Sequence, residues 1–120
     1  MPIWTPPTSA EQPDLTLLGW AVFLVLVPEI GTPTAHAVGY NLRDGEGRVS
    51  SPIVKVDDQR RCVVTSTGRV YRLSGQPGLG SDASYVWARW LRMWNADVKE
   101  DLSQATLAGF EAVSSADQDD

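Results

Sequence analysis

The thirteen residues from Leu15 to Val27 contain no charged side chain. A helix that crosses a membrane needs about 20 apolar residues, so this run is too short to span one. No Lys or Arg precedes Arg43, so the basic n-region of a signal peptide is missing. The run is rich in Val and holds Gly19, which favours a strand over a helix. Leu15, Leu17, Ala21, Phe23, Val25 and Val27 alternate with Leu18, Trp20, Val22, Leu24 and Leu26. Both alternating sets are apolar, so the strand must be covered on both faces or must bend. Gly19 is where a bulge can change which face is which. Pro28 and the Gly31-Thr32-Pro33 stretch end it.

A meander follows. His36, Val38, Tyr40 and Leu42 point one way, and the small set Ala35, Ala37, Gly39 and Asn41 points the other, open to close approach by a neighbour. Arg43-Asp44-Gly45-Glu46-Gly47 is a hairpin turn, and the chain returns from Arg48 to Val56 with Pro52 marking an edge or a break. Asp57-Asp58-Gln59-Arg60 turns into a strand from Arg61 to Thr65. Ser66-Thr67-Gly68 turns again into Arg69 to Leu73. A helix then runs to about Trp94, capped by Ser81 or Asp82. At 100° per residue Ala83, Val86, Trp87, Trp90, Leu91, Met93 and Trp94 share one face, and Ser84, Tyr85, Ala88, Arg89, Arg92 and Asn95 the other. Asp97 to Glu100 has capping-box spacing for a second helix, and a short helix within 103–112 is the alternative.

The expected fold is therefore α+β. An antiparallel meander sheet of four to five strands is packed by one Trp-rich amphipathic helix, with a short C-terminal helix possible. Residues 1–14, with four prolines, form an extended lead-in on which Ile3 and Trp4 can dock; 15–113 form one domain; 114–120 form an acidic, disordered tail. Five Trp are many for 120 residues, and each can bury on the order of 150–250 Å².

Charge is unevenly placed. Residues 1–42 carry three acids and no Lys or Arg. Residues 43–94 carry nine Lys or Arg against five acids, and 95–120 carry seven acids against Lys99. Sorting of this kind can mark an anionic partner for the middle of the chain, and it also arises on ordinary solvated surfaces.

Few residues carry chemistry. Cys62 is the single cysteine, so an intramolecular disulfide is excluded and a cytoplasmic setting is the default. It shares a face with Val64, which makes it a small buried hydrophobe unless Arg60 and Arg61 activate it. His36 is the single histidine and sits on an apolar strand face, so a core role outweighs that of a general base. No metal-ligand cluster and no cofactor motif is present. The loop from Ser74 to Ser81 is glycine-rich, but no Lys-Ser/Thr pair closes it and Asp82 would repel a phosphate there. The acid pairs Asp44/Glu46 and Asp57/Asp58 fall in turns, where acids serve turn geometry. Arg60, Arg61, Arg69 and Arg72, with Tyr71, flank one hairpin and can meet a nucleic acid, without any named motif to support it.

The remaining signal is an interface composition. Tyr85, Arg89 and Arg92 on the helix, with Arg61, Arg69 and Tyr71 on the hairpin, are the expected binding residues. The expected function is non-enzymatic: a module, inhibitor or regulator that binds another protein, with no membrane partner. Small acidic inhibitors carried by phages and mobile elements, anti-CRISPR proteins among them, resemble it in size and charge. A small-ligand binder or enzyme using His36, Cys62 or the glycine loop is the other class in view.

Overall fold

The computed structural model describes residues 15–118, with side chains through residue 113. The lead-in expected over 1–14, including Ile3 and Trp4, lies outside the described residues.

The elements in chain order are β1 (Leu15–Leu26), β2 (Pro33–Asn41), β3 (Glu46–Val49), β4 (Ile53–Asp57), β5 (Cys62–Thr65), β6 (Val70–Ser74), α1 (Ser81–Trp94), β7 (Asp97–Asp101) and α2 (Ser103–Gln118). The fold is α+β, as expected, but the sheet is larger than four or five strands. Among the described residues it has seven, in the order β3-β2-β1-β6-β5-β4, with β7 also paired to β1. It is mostly antiparallel; β1 and β6 pair in parallel, from Leu15 with Tyr71 to Leu18 with Ser74, so it is not a simple meander.

Gly19 is the bend that the apolar run requires. The β1–β2 register shifts between Leu18 and Ala21, and Gly19 adopts a left-handed φ of 51°. A β-carbon there would sit 2.9 Å from the Gly78 carbonyl, so glycine is needed on two counts. The bulge moves one residue's worth of register. Before it Leu15 and Leu17 face one side; after it Trp20 and Val22 do, and Val25 and Val27 face the other. The small face of β2 lets this happen: a β-carbon on Gly39 would lie 2.9 Å from the Leu17 β-carbon and 3.3 Å from the Trp20 α-carbon.

Pro52 breaks the strand expected from Arg48 to Val56. Only Ser50-Ser51-Pro52 joins β3 to β4, yet these strands occupy opposite ends of the pairing order. Five inter-strand steps in a flat sheet span about 24 Å. The link reaches at most about 14 Å. The sheet therefore curls until its edges approach. Leu17, Trp20, Ala37, Val63, Tyr71 and Leu73 come together on the inner face, and Leu107 and Phe110 of α2 pack into them. Arg48 on β3 donates from Nε to the Tyr71 hydroxyl at 2.9 Å, across the same face.

The outer face carries α1. Val25, Val27 and Val38 meet Ala83 and Trp87, with Phe23, Val49, Trp90 and Leu91 around them. A β-carbon on Gly47 would lie 2.7 Å from the Asp82 carbonyl, so glycine on β3 lets the helix start close against the sheet. Neither Ser81 nor Asp82 caps α1: the N-cap is Gly80, without a side-chain bond, and Asp82 sits in the first turn, where its charge suits the helix dipole. Left-handed Asn95 ends the helix, and the Asn95 and Ala96 N–H groups donate to the Arg92 and Leu91 carbonyls.

The second helix expected from Asp97 is instead strand β7, antiparallel to β1 from Phe23/Asp101 to Leu26/Asp97. The helix begins after it, at Ser103, where the Asp101 carboxylate accepts the Ser103 N–H at 2.9 Å. α2 continues through 114–118, part of the tail expected to be disordered. Among the described residues no helix is long and apolar enough to cross a membrane.

Candidate functional site

The wheel of α1 splits by exposure. Ala83 and Trp87 are buried, while Tyr85 is 65% exposed and Met93 is 66% exposed. Arg89 and Arg92 are exposed as well. Arg92, Tyr85, Arg89 and Met93 lie within about 100° of arc. Met93 is a correction to the expected apolar face: it stands only about 40° from Arg89 on the wheel, and the sheet does not reach it. Among the described residues no ion pair involves Arg89 or Arg92.

Stacked rings hold this helix in place. Phe23 on β1 stacks on Trp87 at 5.0 Å and 12°. Trp87 stacks on Trp90 at 5.2 Å and 13°, and Trp90 tilts against Trp94 at 6.4 Å and 45°. Exposure rises along the ladder: Trp87 is 7% exposed, Trp90 half-buried and Trp94 41% exposed. Each such ring pair adds about 0.5–1.5 kcal/mol beyond burial. The outward residues are thus presented on a clamped helix.

The outer end of the ladder borders a cleft of about 280 Å³ walled by Val27, Ile30, Val49, Pro52, Trp90 and Trp94, with His36 at its base. His36 is buried, 4.8 Å from Trp90 between ring centres. Burial lowers its pKa from 6.5, partly offset by its bond to Ser50. The Ser50 carbonyl can only accept, so Nδ1 carries the proton and donates at 2.8 Å. Nε2 of the neutral ring then accepts from the Thr34 hydroxyl at 2.8 Å. Nδ1 holds β2 to the β3–β4 link and Nε2 is taken by Thr34 within β2, which leaves no free lone pair for a base.

The other residues with reactive groups are absorbed by the fold. Cys62 is fully buried and its thiol donates to the Arg60 carbonyl at 3.1 Å. The glycine loop is stitched to the bulge of β1: Gly78 N–H donates to the Trp20 carbonyl at 2.8 Å, and the Trp20 indole donates to the Gly75 carbonyl at 3.2 Å. Asp44 accepts from the Asn41 amide at 3.0 Å, and Asp57 accepts from the Arg60 N–H at 3.1 Å, each within its own turn. No group of three or more His, Cys, Asp or Glu able to hold a metal occurs among the described residues.

The six expected binding residues do not form one surface. Tyr85, Arg89 and Arg92 are together on α1. Tyr71 is buried and bonded to Arg48, which takes it out of any surface. Leu73, on the same face of β6, is also buried, while Arg72 between them faces solvent. Arg61 is half-buried with its guanidinium 5.4 Å from the Phe110 ring centre, and Arg69 is half-buried beside the β5–β6 turn. Met93 and Trp94, which the wheel puts on the apolar face of the helix, extend the α1 surface; the signal for Met93 was its nearness to Arg89 on the wheel. Compared with known protein families, curated proteins and solved structures, the chain matches none of them.

Proposed function

We propose that the protein is a non-enzymatic binding module that docks another protein on the outward arc of α1. The observation that carries this reading is the set Tyr85, Arg89, Arg92 and Met93, exposed on a helix that aromatic stacking locks to the sheet. Tyr, Arg and Met are the residue types that interfaces favour, and a rigid platform loses little entropy on binding. Two arginines without an ion pair select an acidic patch on the partner. A phage- or mobile-element-borne inhibitor of the anti-CRISPR kind is one form this function takes; it rests on size and charge alone. The buried single thiol fits a reducing compartment such as the cytoplasm.

Affinity capture from source-cell lysate, with and without nuclease, tests the proposal when the wild type is run beside Arg89→Glu/Arg92→Glu. A stoichiometric protein that survives nuclease and is lost in the variant supports it, with binding weakened by about 2 kcal/mol or more. Equal capture by both proteins, or capture lost on nuclease, overturns it. The variant's melting temperature is the control for folding.

A further inference from the structure

A second site lies away from α1, where the hairpin of β5 and β6 meets the loop that follows it. A cleft of about 320 Å³ there is lined by Arg60, Arg61 and Arg72, with Gln59 and Ser74 beside them. The pairing explains the convergence. Cys62 is opposite Arg72, and the Leu73 N–H donates to the Arg61 carbonyl at 2.9 Å, so Arg61 and Arg72 stand one position out of register at the end of the same hydrogen-bonded pair. Arg60 precedes them on the turn, fixed by Asp57.

Three guanidiniums in one cleft repel one another unless an anion sits among them. None of the three takes part in an ion pair among the described residues. The two acids of the adjoining turn are committed elsewhere. Asp57 accepts the Arg60 backbone N–H, and the Asp58 carboxylate lies against α2, its Oδ1 2.9 Å from where a Gly109 β-carbon would stand. An independent observation points the same way: Arg61 Nε is buried and has no hydrogen-bond acceptor among the described residues. A buried charged donor left without an acceptor is costly, and an anion's oxygen would satisfy it.

We infer that this cleft binds a phosphoryl group, taken between the guanidiniums of Arg60, Arg61 and Arg72. Planar guanidinium forks match the oxygen spacing of phosphate, and three of them favour a multiply charged group over a single carboxylate. The cleft is open to solvent but local, about 320 Å³, rather than a track along the surface, so the group belongs to a small phosphorylated molecule and not to a nucleic-acid strand.

Calorimetric titration of the full chain with inorganic pyrophosphate, beside a short oligodeoxythymidine strand, tests the site. One pyrophosphate binds per chain with a dissociation constant below about 1 mM, and it raises the melting temperature. Arg72→Gln and Arg60→Gln, both at exposed positions, each weaken binding about tenfold. Arg89→Gln/Arg92→Gln leaves it unchanged, so the result is independent of the α1 surface. No saturable binding, equal loss on changing the α1 arginines, or binding of the oligonucleotide without pyrophosphate overturns the assignment.

Discussion

Trp20 and Trp94 are the same residue type at opposite limits of solvent contact. Trp20 is fully buried on the inner face, its ring 6.1 Å from Phe110 and its indole N–H satisfied by the Gly75 carbonyl. Trp94 closes the ladder on the outer face with much of its ring in water. The inner face is roofed by sheet curvature and α2 together. The outer face is covered by one helix whose last turn overhangs the strands beneath. A curled sheet closes its concave side completely and leaves its convex side only as covered as the helix laid on it. That difference is why large side chains stay exposed on the last turns of α1.

The largest effect expected from breaking this contrast is on the inner side. Trp20→Ala costs about 3–5 kcal/mol in chemical denaturation, because it leaves a cavity and orphans the Gly75 carbonyl. Trp90→Ala, on the half-covered rung, costs less, about 1.5–3 kcal/mol by the same measurement. A cost equal to that of Trp20→Ala would show that the outer face is as tightly closed as the inner one.

His36 sharpens the comparison by pH. Its folded pKa is depressed by burial, so the folded state binds fewer protons than the unfolded chain in mildly acidic solution. The stability tied to the neutral ring is fully present above the unfolded value of 6.5 and is lost as the pH falls from there through the depressed folded value. Urea midpoints measured between about pH 7.5 and 5.5 therefore decline, and His36→Asn flattens the slope. A slope that persists in the variant would place the titrating group elsewhere. Trp94→Ala closes the series, with about 0.5–1.5 kcal/mol, the worth of its ring pair with Trp90; a larger loss would mean that its ring is core.

Local features were readable from residues because they rest on local chemistry. The bend at Gly19, the Asp44-Gly45 and Thr67-Gly68 turns, the break at Pro52 and the span of α1 all follow from glycine or proline geometry or from a 3.6-residue period. Strand β7 was not readable. Asp97, Lys99, Glu100 and Asp101 put charge on both of its faces, which looks like the start of a helix, and it is a strand only because β1 has a free edge there. α2 was barely visible because only Leu107 and Phe110 among its described apolar residues reach the inner core, with Leu102 alongside. Of the α1 surface, Tyr85, Arg89 and Arg92 were legible from periodicity, whereas Met93 and Trp94 were not. Their exposure depends on where the sheet ends, which no spacing on the helix records. The arginine cleft was half legible: Arg60, Arg61 and Arg72 were visible as neighbours of one hairpin, but the separation of Arg69 and Tyr71 from them needed the register.

Strand β1 pairs with β2, β6 and β7, and its Val22 N–H donates to the Ser103 hydroxyl 81 residues along the chain. On a ribosome this has a temporal meaning. The most apolar segment emerges before β6 and β7, the strands that shield one of its edges. Folding of such a connection is slow, because distant contacts must form before they reward the loop they close. During that interval β1 offers an open, uncharged edge to any similar strand nearby, so crowded synthesis is the condition under which this chain is most exposed to aggregation.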